Sequence, residues 1–582
     1  LVPTLAIPVS LIGTFAVLQC IGYSINLITL FGLILAIGIV VDDAIVVIEN
    51  VNRLMEEEHL SPYDAAVKSM LEVTGPVIAT TAVLLAMFIP ICFLSGITGE
   101  MYRQFGITIA VAVTISSINA LTLSPALSSI LLKPIDGKRQ KFILFRWFDA
   151  GFEKLTAVYG ATVSKLIKIS FALMLVYGIM TFVAIRMFNQ LPTGFIPDED
   201  QAAMFINVQL PDGASLARTE EVLKKINNIL LPVRPDGSVG RYPGVADVLS
   251  SPGFSILTGV NSANNAMIIV ALDDWAKRQQ PGMSQNEIIG RLAQELGGIQ
   301  EAVVSPFGVP VIPGVGVSSG FSFVIEDTNG TDPERLQNAA NTLVAAANHD
   351  PRLQSVFTTF RAAVPQVYLE IDREKALKLG VELNSINSAL QGLLGYTYIN
   401  DLNQFGKVYK VEVQADSEFR RSVDNFDQIF VPNKKGEMVP LATLVKVEDK
   451  VGPQYINRYN LYASVNISGS PAPGVSSGDA MKAMEELADK HLPEGMKYDW
   501  TDMSYQEKQS QGQVGIVFAL ALLFIYLFLV AQYESWMIPL SVLLSVPVAF
   551  LGALSLLYLM GVDNNLYVQV GLVLLFGIAC KT

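Results

Sequence analysis

The chain has 582 residues, is 51% hydrophobic and only 16% charged, and carries a formal net charge of −13. A soluble domain of ordinary composition carries about 25% charged residues, so the shortfall points to long apolar runs. The acidic balance argues against nucleic acid as a partner.

Eight apolar runs are long enough to be read as membrane spans: Leu1–Ile21, Leu27–Val51, Val73–Leu94, Phe105–Leu132, Ile169–Met187, Val514–Ala531, Met537–Met560 and Leu566–Thr582. From Asn189 to Gln513 no such run occurs, so five spans precede one large soluble region and three follow it. The chain opens at Leu1 inside an apolar run, without Met, and stops at Thr582 partway along another. The natural protein is therefore expected to extend past both ends. The first run is not a signal peptide, since no basic region precedes it and no cleavage site follows. Cys20, Cys92 and Cys580 all fall in the apolar runs, which leaves the soluble region without a disulfide framework.

Orientation follows from Lys133–Lys168, where eight Lys or Arg face three acids. The positive-inside rule places this segment in the cytoplasm and the large soluble region outside. Its aromatic and basic middle, from Phe142 to Phe152, reads either as a helix lying flat on the inner leaflet, with membrane lipid as its partner, or as an ordinary basic loop. The acidic Glu56-Glu57-Glu58 fits a cytoplasmic loop less well, but acids weigh little in this rule.

The chain also contains a repeat. With a shift of 539 residues, Ala6–Asp43 aligns without a gap on Ser545–Thr582, with identities at 12 of 38 positions. Pro8 matches Pro547, Gly13 Gly552, Gly22 Gly561, Asn26 Asn565, Gly32 Gly571 and Gly38 Gly577. Copies six spans apart run in the same direction, which predicts two parallel halves related by an axis along the membrane normal. The alignment sets Asp42 against Lys581 and Asp43 against Thr582.

The second run holds Asp42 and Asp43 among apolar neighbours. Each lone charge at that depth costs about 2.5–3.5 kcal/mol on the insertion scale. Adjacent helical positions diverge by about 100°, so the two carboxylates are expected on neighbouring faces of the bundle interior. They cannot both ionise cheaply in a dry site, and this suits a proton carrier, with Lys581 neutralising the pair when it is deprotonated. A static ion pair is the structural alternative. A metal site is not expected, because the three His are scattered. Glu49 and Arg53 are expected to reach interfacial water at the cytoplasmic end.

Two βαββαβ-like patterns occupy the soluble region. The first has strands at Met204–Leu210, Ala246–Ser250, Ala266–Leu272 and Ala302–Pro306, with helices at Ser215–Leu231 and Gln285–Leu296. The second starts at Gly320, with a helix at Asp332–Asn348 and a strand at Leu353–Thr359, and resumes at Leu461–Ser468, Gly478–Lys490 and Met496–Trp500. An α/β insert, Val364–Gly452, interrupts it. The stretch from Pro252 to Asn265, rich in Gly, Ser and Asn, reads as a mobile loop presenting Phe254, Ile256 and Leu257 to an apolar ligand, or as a plain connection. A second Gly/Pro/Val-rich stretch, Phe307–Gly320, joins the two patterns. No Ser/His/Asp set, phosphate-binding Gly-Lys-Ser/Thr motif or Cys/His cluster is present, so neither enzyme chemistry nor bound ATP is expected.

At these residues the chain resembles the resistance-nodulation-division superfamily, in its hydrophobe/amphiphile efflux branch of AcrB-type multidrug pumps. The resemblance covers essentially the whole chain. It rests on Gly38-Ile-Val-Val-Asp42-Asp43-Ala-Ile-Val-Val-Ile-Glu49-Asn50, on Leu191-Pro-Thr-Gly-Phe-Ile-Pro-Asp-Glu-Asp200, on Tyr498-Asp-Trp-Thr-Asp-Met-Ser-Tyr-Gln-Glu507 and on Tyr533-Glu-Ser-Trp536. It implies a polytopic α-helical membrane protein with a large periplasmic α+β region, tandem ferredoxin-like porter subdomains and a docking subdomain. The corresponding division is 1–189 and 511–582 for the membrane bundle, 190–319 for one porter subdomain, 320–363 with 454–510 for the other, and 364–453 for the docking part.

The resemblance also implies a Gram-negative inner-membrane homotrimer that works with a periplasmic adaptor and an outer-membrane channel. It would have no cofactor or metal, and the proton-motive force would be its energy source. Asp42, Asp43 and Lys581 fall on the family's proton-relay positions. Gly253–Ser262 matches its switch loop. Phe254 keeps an aromatic there, whereas Leu249 and Ile256 stand where phenylalanines are common, with Met267 or Ile268 near another; Gly253, Leu257, Phe307 and Val309 complete the expected drug pocket. The expected function is proton/drug antiport of amphiphilic compounds. The alternatives are a relative that moves lipids or assists protein export with the same motor, and a non-transporting sensor.

Overall fold

The computed structural model describes all residues except 1, 95, 134–142, 198, 233–238, 331, 421, 513 and 581–582. The first part is helical: α1 (Val2–Cys20), α2 (Leu27–Glu57), α3 (Pro62–Phe88), α4 (Gly96–Leu121), α5 (Leu123–Leu131), α6 (Ile143–Lys168) and α7 (Ser170–Gln190). Among the described residues seven helical stretches are long and apolar enough to cross a membrane, with α4 and α5 counting as one and the two short helices over Ile538–Met560 as another. The eighth expected span is helical over Leu566–Ala579, too short by that measure. Lys581 and Thr582 lie outside the described residues.

Residues Ile143–Lys168 form one helix rather than a basic loop, with Trp147, Phe152 and Tyr159 exposed. Lys138, Arg139 and Lys141 lie outside the described residues.

The extramembranous part begins with β1 (Ala203–Gln209), α8 (Leu216–Leu230), β2 (Val245–Phe254), β3 (Asn261–Leu272), α9 (Gln285–Leu296) and β4 (Val303–Gly308). Its sheet has the order β2-β3-β1-β4. Strand alternation sends Met204, Ile206, Val208, Ile268 and Val270 to one face, where they pack on Ile226, Leu230, Ile288 and Leu292 of α8 and α9.

A second α/β unit follows: β5 (Phe321–Asp327), α10 (Pro333–His349) and β6 (Leu353–Phe357). The insert then runs β7 (Val364–Ile371), α11 (Arg373–Lys378), α12 (Leu383–Leu394), β8 (Thr397–Gln404), β9 (Lys407–Val413), α13 (Ser417–Arg420), β10 (Phe430–Pro432), β11 (Met438–Pro440) and β12 (Val445–Gly452). Its first and last strands pair in antiparallel register, Val364 opposite Gly452, so the insert leaves and rejoins the unit at one place. The unit is completed by β13 (Asn457–Tyr459), β14 (Tyr462–Pro471), α14 (Ser477–His491) and β15 (Met496–Trp500). Its sheet order is β13-β14-β5-β15, with β6 also on β14. Phe321, Phe323, Leu343, Met484 and Trp500 are among its core residues.

α15 (Asp502–Gln511) leads back to the bundle, which ends with α16 (Val514–Tyr533), α17 (Ile538–Leu543), α18 (Val546–Met560) and α19 (Leu566–Ala579). α2, α3, α4, α16 and α19 share one apolar core, including Ala36, Met87, Ile109, Ala521 and Leu574.

Caps explain where the helices begin. Asn26 and Thr29 form a capping box at the start of α2. Asn565 accepts from the Val568 amide at the start of α19. The glycines at the repeat positions before these caps, Gly22 and Gly561, take φ of +81° and +65°, backbone that only glycine adopts without strain.

Candidate functional site

Asp42 and Asp43 lie midway along α2. The row Ala36, Ile39, Val40, Asp43, Val47 faces the bundle, and Asp43 is only 2% exposed. Asp42, one position round the helix, is on the exposed side of the described residues. Asp43 thus packs in the core, and Lys581, the expected partner of the pair, lies outside the described residues. Ser116 of α4 donates to the Val40 carbonyl at 2.9 Å, so the turn just before the pair is tied to α4.

Two contacts bring α2 and α19 side by side at their first turns. The rings of Phe31 and Tyr567 lie 5.3 Å apart, and Ile28, Leu35, Leu566 and Val570 surround the same small apolar recess. α19 is further held by Tyr102 of α4, whose hydroxyl donates to Gln569 at 2.8 Å, and by Ser545, which donates to the Ala579 carbonyl at 2.8 Å. Glu49 is exposed, and Arg53 bonds Asn50, Glu57 and Glu72 at the far end of α2. Both reach solvent-facing positions.

The expected loop from Pro252 to Asn265 is mostly strand. β2 continues to Phe254 and β3 starts at Asn261, with Pro252 opposite Ala266. Antiparallel pairing overrides the Gly/Asn composition, and the connection shrinks to Ser255–Val260. Gly253, with φ of +83°, marks a register shift between Pro252 and Phe254, which re-aims the strand end. Phe307 likewise belongs to β4 and not to the joining stretch.

On the sheet face opposite α8 and α9, cross-strand register assembles one rung. Leu249 lies opposite Ile269, Ile269 opposite Phe205, and Phe205 opposite Phe307. The Phe205 and Phe307 rings meet edge-on at 6.1 Å. Phe307 is 9% exposed and Leu249 64%, so the rung runs from covered to open. Met267 stands one rung along on the same face, beside Ser251 and Asn207, whereas Ile268 is fully buried against the helices. Phe254, Ile256, Leu257 and Val309 are partly buried; Ile256 and Leu257 sit in the hairpin turn, and Val309 follows β4. Reading the sequence missed Phe205 and Ile269. The period-two alternation of a half-buried strand would have located both, since Ile269 is two residues from Met267.

A cleft of about 550 Å³ lies between the two α/β units, lined by Val304, Phe307, Val356, Phe357 and Pro471 among others. Phe307 closes one end of the rung and opens onto this cleft.

The family model described as AcrB/AcrD/AcrF matches residues 1–582. The chain belongs to the AcrB/AcrD/AcrF family. It is 40% identical over 584 residues to the multidrug export protein AcrF of Escherichia coli K12, covering 100% of this chain and 56% of that protein. It is 37% identical over 583 residues to the multidrug resistance protein MdtF of the same organism, covering 100% and 55%. The toluene efflux pump membrane transporter TtgB of Pseudomonas putida gives 37% over 584 residues, covering 100% and 55%. The chain thus spans about half the length of the curated relatives it matches. As a member of this family it is a multi-pass membrane protein with a large extramembranous region.

Proposed function

We propose that the chain performs proton-driven export of hydrophobic and amphiphilic compounds from the inner membrane of a Gram-negative cell. It is a secondary active transporter energised by the proton-motive force, with no cofactor. One observation carries this reading: Asp43, nearly inaccessible inside an apolar membrane helix, stands beside a second acid. A carboxylate so placed must be neutralised by a proton or by a neighbouring cation. Lys581 follows Leu566 at the spacing that separates Asp42 from Leu27, and the first turns of α2 and α19 are neighbours. We therefore assign Asp42, Asp43 and Lys581 to one relay across two pseudo-symmetric halves. Protonation of the pair removes the attraction for Lys581 and lets α19 shift against α2.

The two α/β units act as porter subdomains in the periplasm and the β7–β12 insert as the docking subdomain. The rung from Leu249 to Phe307 supplies an apolar surface, and the adjoining cleft adds polar groups such as Asn286, Ser305 and Gln354, a mixture that suits amphiphilic cargo. The relatives' names, multidrug export and toluene efflux, agree with that class. The β8–β9 hairpin is exposed along its whole length. A lone two-stranded hairpin is marginally stable in water, and this one carries Tyr398, Ile399, Leu402 and Val411 in the open. Cover from a second copy fits the homotrimer, which works with a periplasmic adaptor and an outer-membrane channel.

The test is export of a fluorescent amphiphile, with the accompanying proton flux, by cells expressing the full-length protein. Asp43→Asn, Asp42→Asn and Lys581→Ala are each expected to abolish both while leaving the trimer intact. Retained export in all three sinks the relay.

A further inference from the structure

A second buried carboxylate lies far from the acidic pair, where the soluble region meets the bundle. Glu507 of α15 is 5% exposed, and Ser477, at the start of α14, donates to its Oε1 at 2.9 Å. Both line a cavity of about 150 Å³, together with Gly194, Asp563, Asn565 and Phe321. Four pieces of chain meet there: the exit from α7, the start of α14, α15 and the α18–α19 link. Backbone bonds lace them together. The Gly478 amide donates to Thr193 O at 3.0 Å, Asn564 to Pro192 O at 2.8 Å, Gly194 to Asn564 O at 3.3 Å and Leu566 to Phe195 O at 2.9 Å. A Cβ at Gly194 would lie 3.3 Å from Asp563 Oδ2 and 3.7 Å from Ser477 Oγ, so only a glycine thickness separates the Asp563 carboxylate from the Ser477 hydroxyl.

The surroundings offer Glu507 no free cation among the described residues. On its own helix Lys508 is bonded to Glu485 of α14 at 2.6 Å, and Asp502 adds a further negative charge. On α14, Asp479 accepts from its own cap Ser476 at 2.9 Å, and Lys482 lines a separate recess with Lys508, Asn189 and Gln190. On α4, Arg103 is bonded to Glu100 at 2.9 Å. Glu199 accepts from Tyr567 at 3.1 Å. Glu326 and Asp327 stand at the opposite end of β5 from Phe321, and Asp499 caps its own turn at Trp500. The charge that acts on Glu507 is the like charge of Asp563.

We propose that Glu507 is a proton-binding site separate from the acidic pair, and that its protonation holds the second α/β unit against the membrane bundle. Burial, reinforced by Asp563, pushes its carboxyl up to about 7, against the opposing bond from Ser477. Asp563 is raised as well, chiefly by burial and then by Asp479. When the contact opens and water enters, Glu507 returns towards its ordinary value near 4.3. The closed state therefore binds more protons than the open one between these values. Closure weakens by about tenfold per pH unit as pH rises through that window, then levels off. The consequence for export rests on the reading above: proton uptake from the periplasm would set how firmly a porter subdomain engages the bundle.

The test reads the contact and not export, so the two readings fail separately. Amide hydrogen exchange of the full-length protein in nanodiscs is followed from pH 5 to 8.5, corrected for intrinsic rates, at residues 191–196, 478 and 564–566. Protection is expected to fall about tenfold per unit up to about pH 7 and then to flatten. Glu507→Gln, which keeps the acceptor for Ser477, is expected to stay protected throughout. Ser477→Ala should move the levelling point to higher pH and Asp563→Asn to lower pH, a pair of opposite signs that a purely structural contact would not produce. A wild-type slope retained in Glu507→Gln, a flat wild-type profile, or shifts of one sign in both neighbours overturns the assignment.

Discussion

Gly22 and Gly561 stand 539 residues apart, yet they occupy the same place in the same turn. Each closes a membrane helix with left-handed backbone, φ +81° and +65°, and each is followed four residues later by an asparagine that caps the next helix. The repeat seen in the sequence is thus also a repeat of one tight link between two spans.

From that link we expect Gly561→Ala and Asn565→Ala each to lower stability by about 1 kcal/mol. The first forces an L residue into left-handed backbone, and the second removes a helix cap. Matching changes at Gly22 and Asn26 should cost similar amounts, with Asn26 the larger of the two caps, because it also donates to Gln104 at 2.8 Å. Thermal unfolding of the purified protein in detergent checks the series.

Ile268 and Ile269 are neighbours in sequence and opposite in consequence. Ile268→Ala opens a cavity in the core of the first α/β unit and is expected to cost about 2–5 kcal/mol, seen as lost yield and a lower unfolding temperature. Ile269→Ala touches only the open rung, so yield should hold while the spectrum of exported compounds changes. Susceptibility profiles of cells expressing each variant at matched levels distinguish the two.

Asp200 holds Arg278 by two bonds of 2.7 Å and also accepts from the Gln285 amide at 3.1 Å, pinning the start of α9. The Arg278 side chain is 2% exposed. Asp200→Ala strands a buried guanidinium and should cost about 3–5 kcal/mol. The Arg278 bonds hold the Asp200 carboxyl down at about 2. Its contribution is therefore complete above its ordinary value near 4 and is lost as pH falls through about 2. Acid unfolding of wild type, compared with Asp200→Asn, checks the sign: the variant should lose its dependence in that window.

Replacing Asn400–Lys410 by a short Gly-Ser turn removes most of the β8–β9 hairpin. The insert's own core, with Ala376, Ile386, Val431 and Leu441, does not use it. If the hairpin holds the proposed trimer together, its loss is expected to give monomers with unchanged unfolding temperature of the soluble region, measured by light scattering and calorimetry. Persistence of the trimer would assign the hairpin another role.

Much of the site is legible in the sequence. Charge in an apolar helix is costly enough to be conspicuous, so Asp42 and Asp43 declare themselves by residue type alone. The residues of the proposed pocket are harder to read. Gly and Asn between Pro252 and Asn265 signal a loop locally, and only the pairing of Pro252 with Ala266 turns the stretch into a hairpin. The rung from Leu249 to Phe307 spans four strands, and its members come together only through register. Glu507 belongs to a recognisable motif, but nothing in its immediate neighbours marks it as buried, because the groups that bury it come from three other segments.

By itself the sequence determined the number and order of apolar runs, the repeat, the alternation of strands and helices in the soluble region, and the acids within a span. These depend on composition and short-range periodicity, which a linear reading detects. The tertiary structure decided that Asp43 packs against the bundle core, which face of each strand stays open, and how the insert closes at Val364 and Gly452. It also decided that Pro8 sits within an unbroken α1 whereas its repeat partner Pro547 follows a break between α17 and α18. Each of these depends on what lies across from a residue, and that is set by packing between segments hundreds of residues apart.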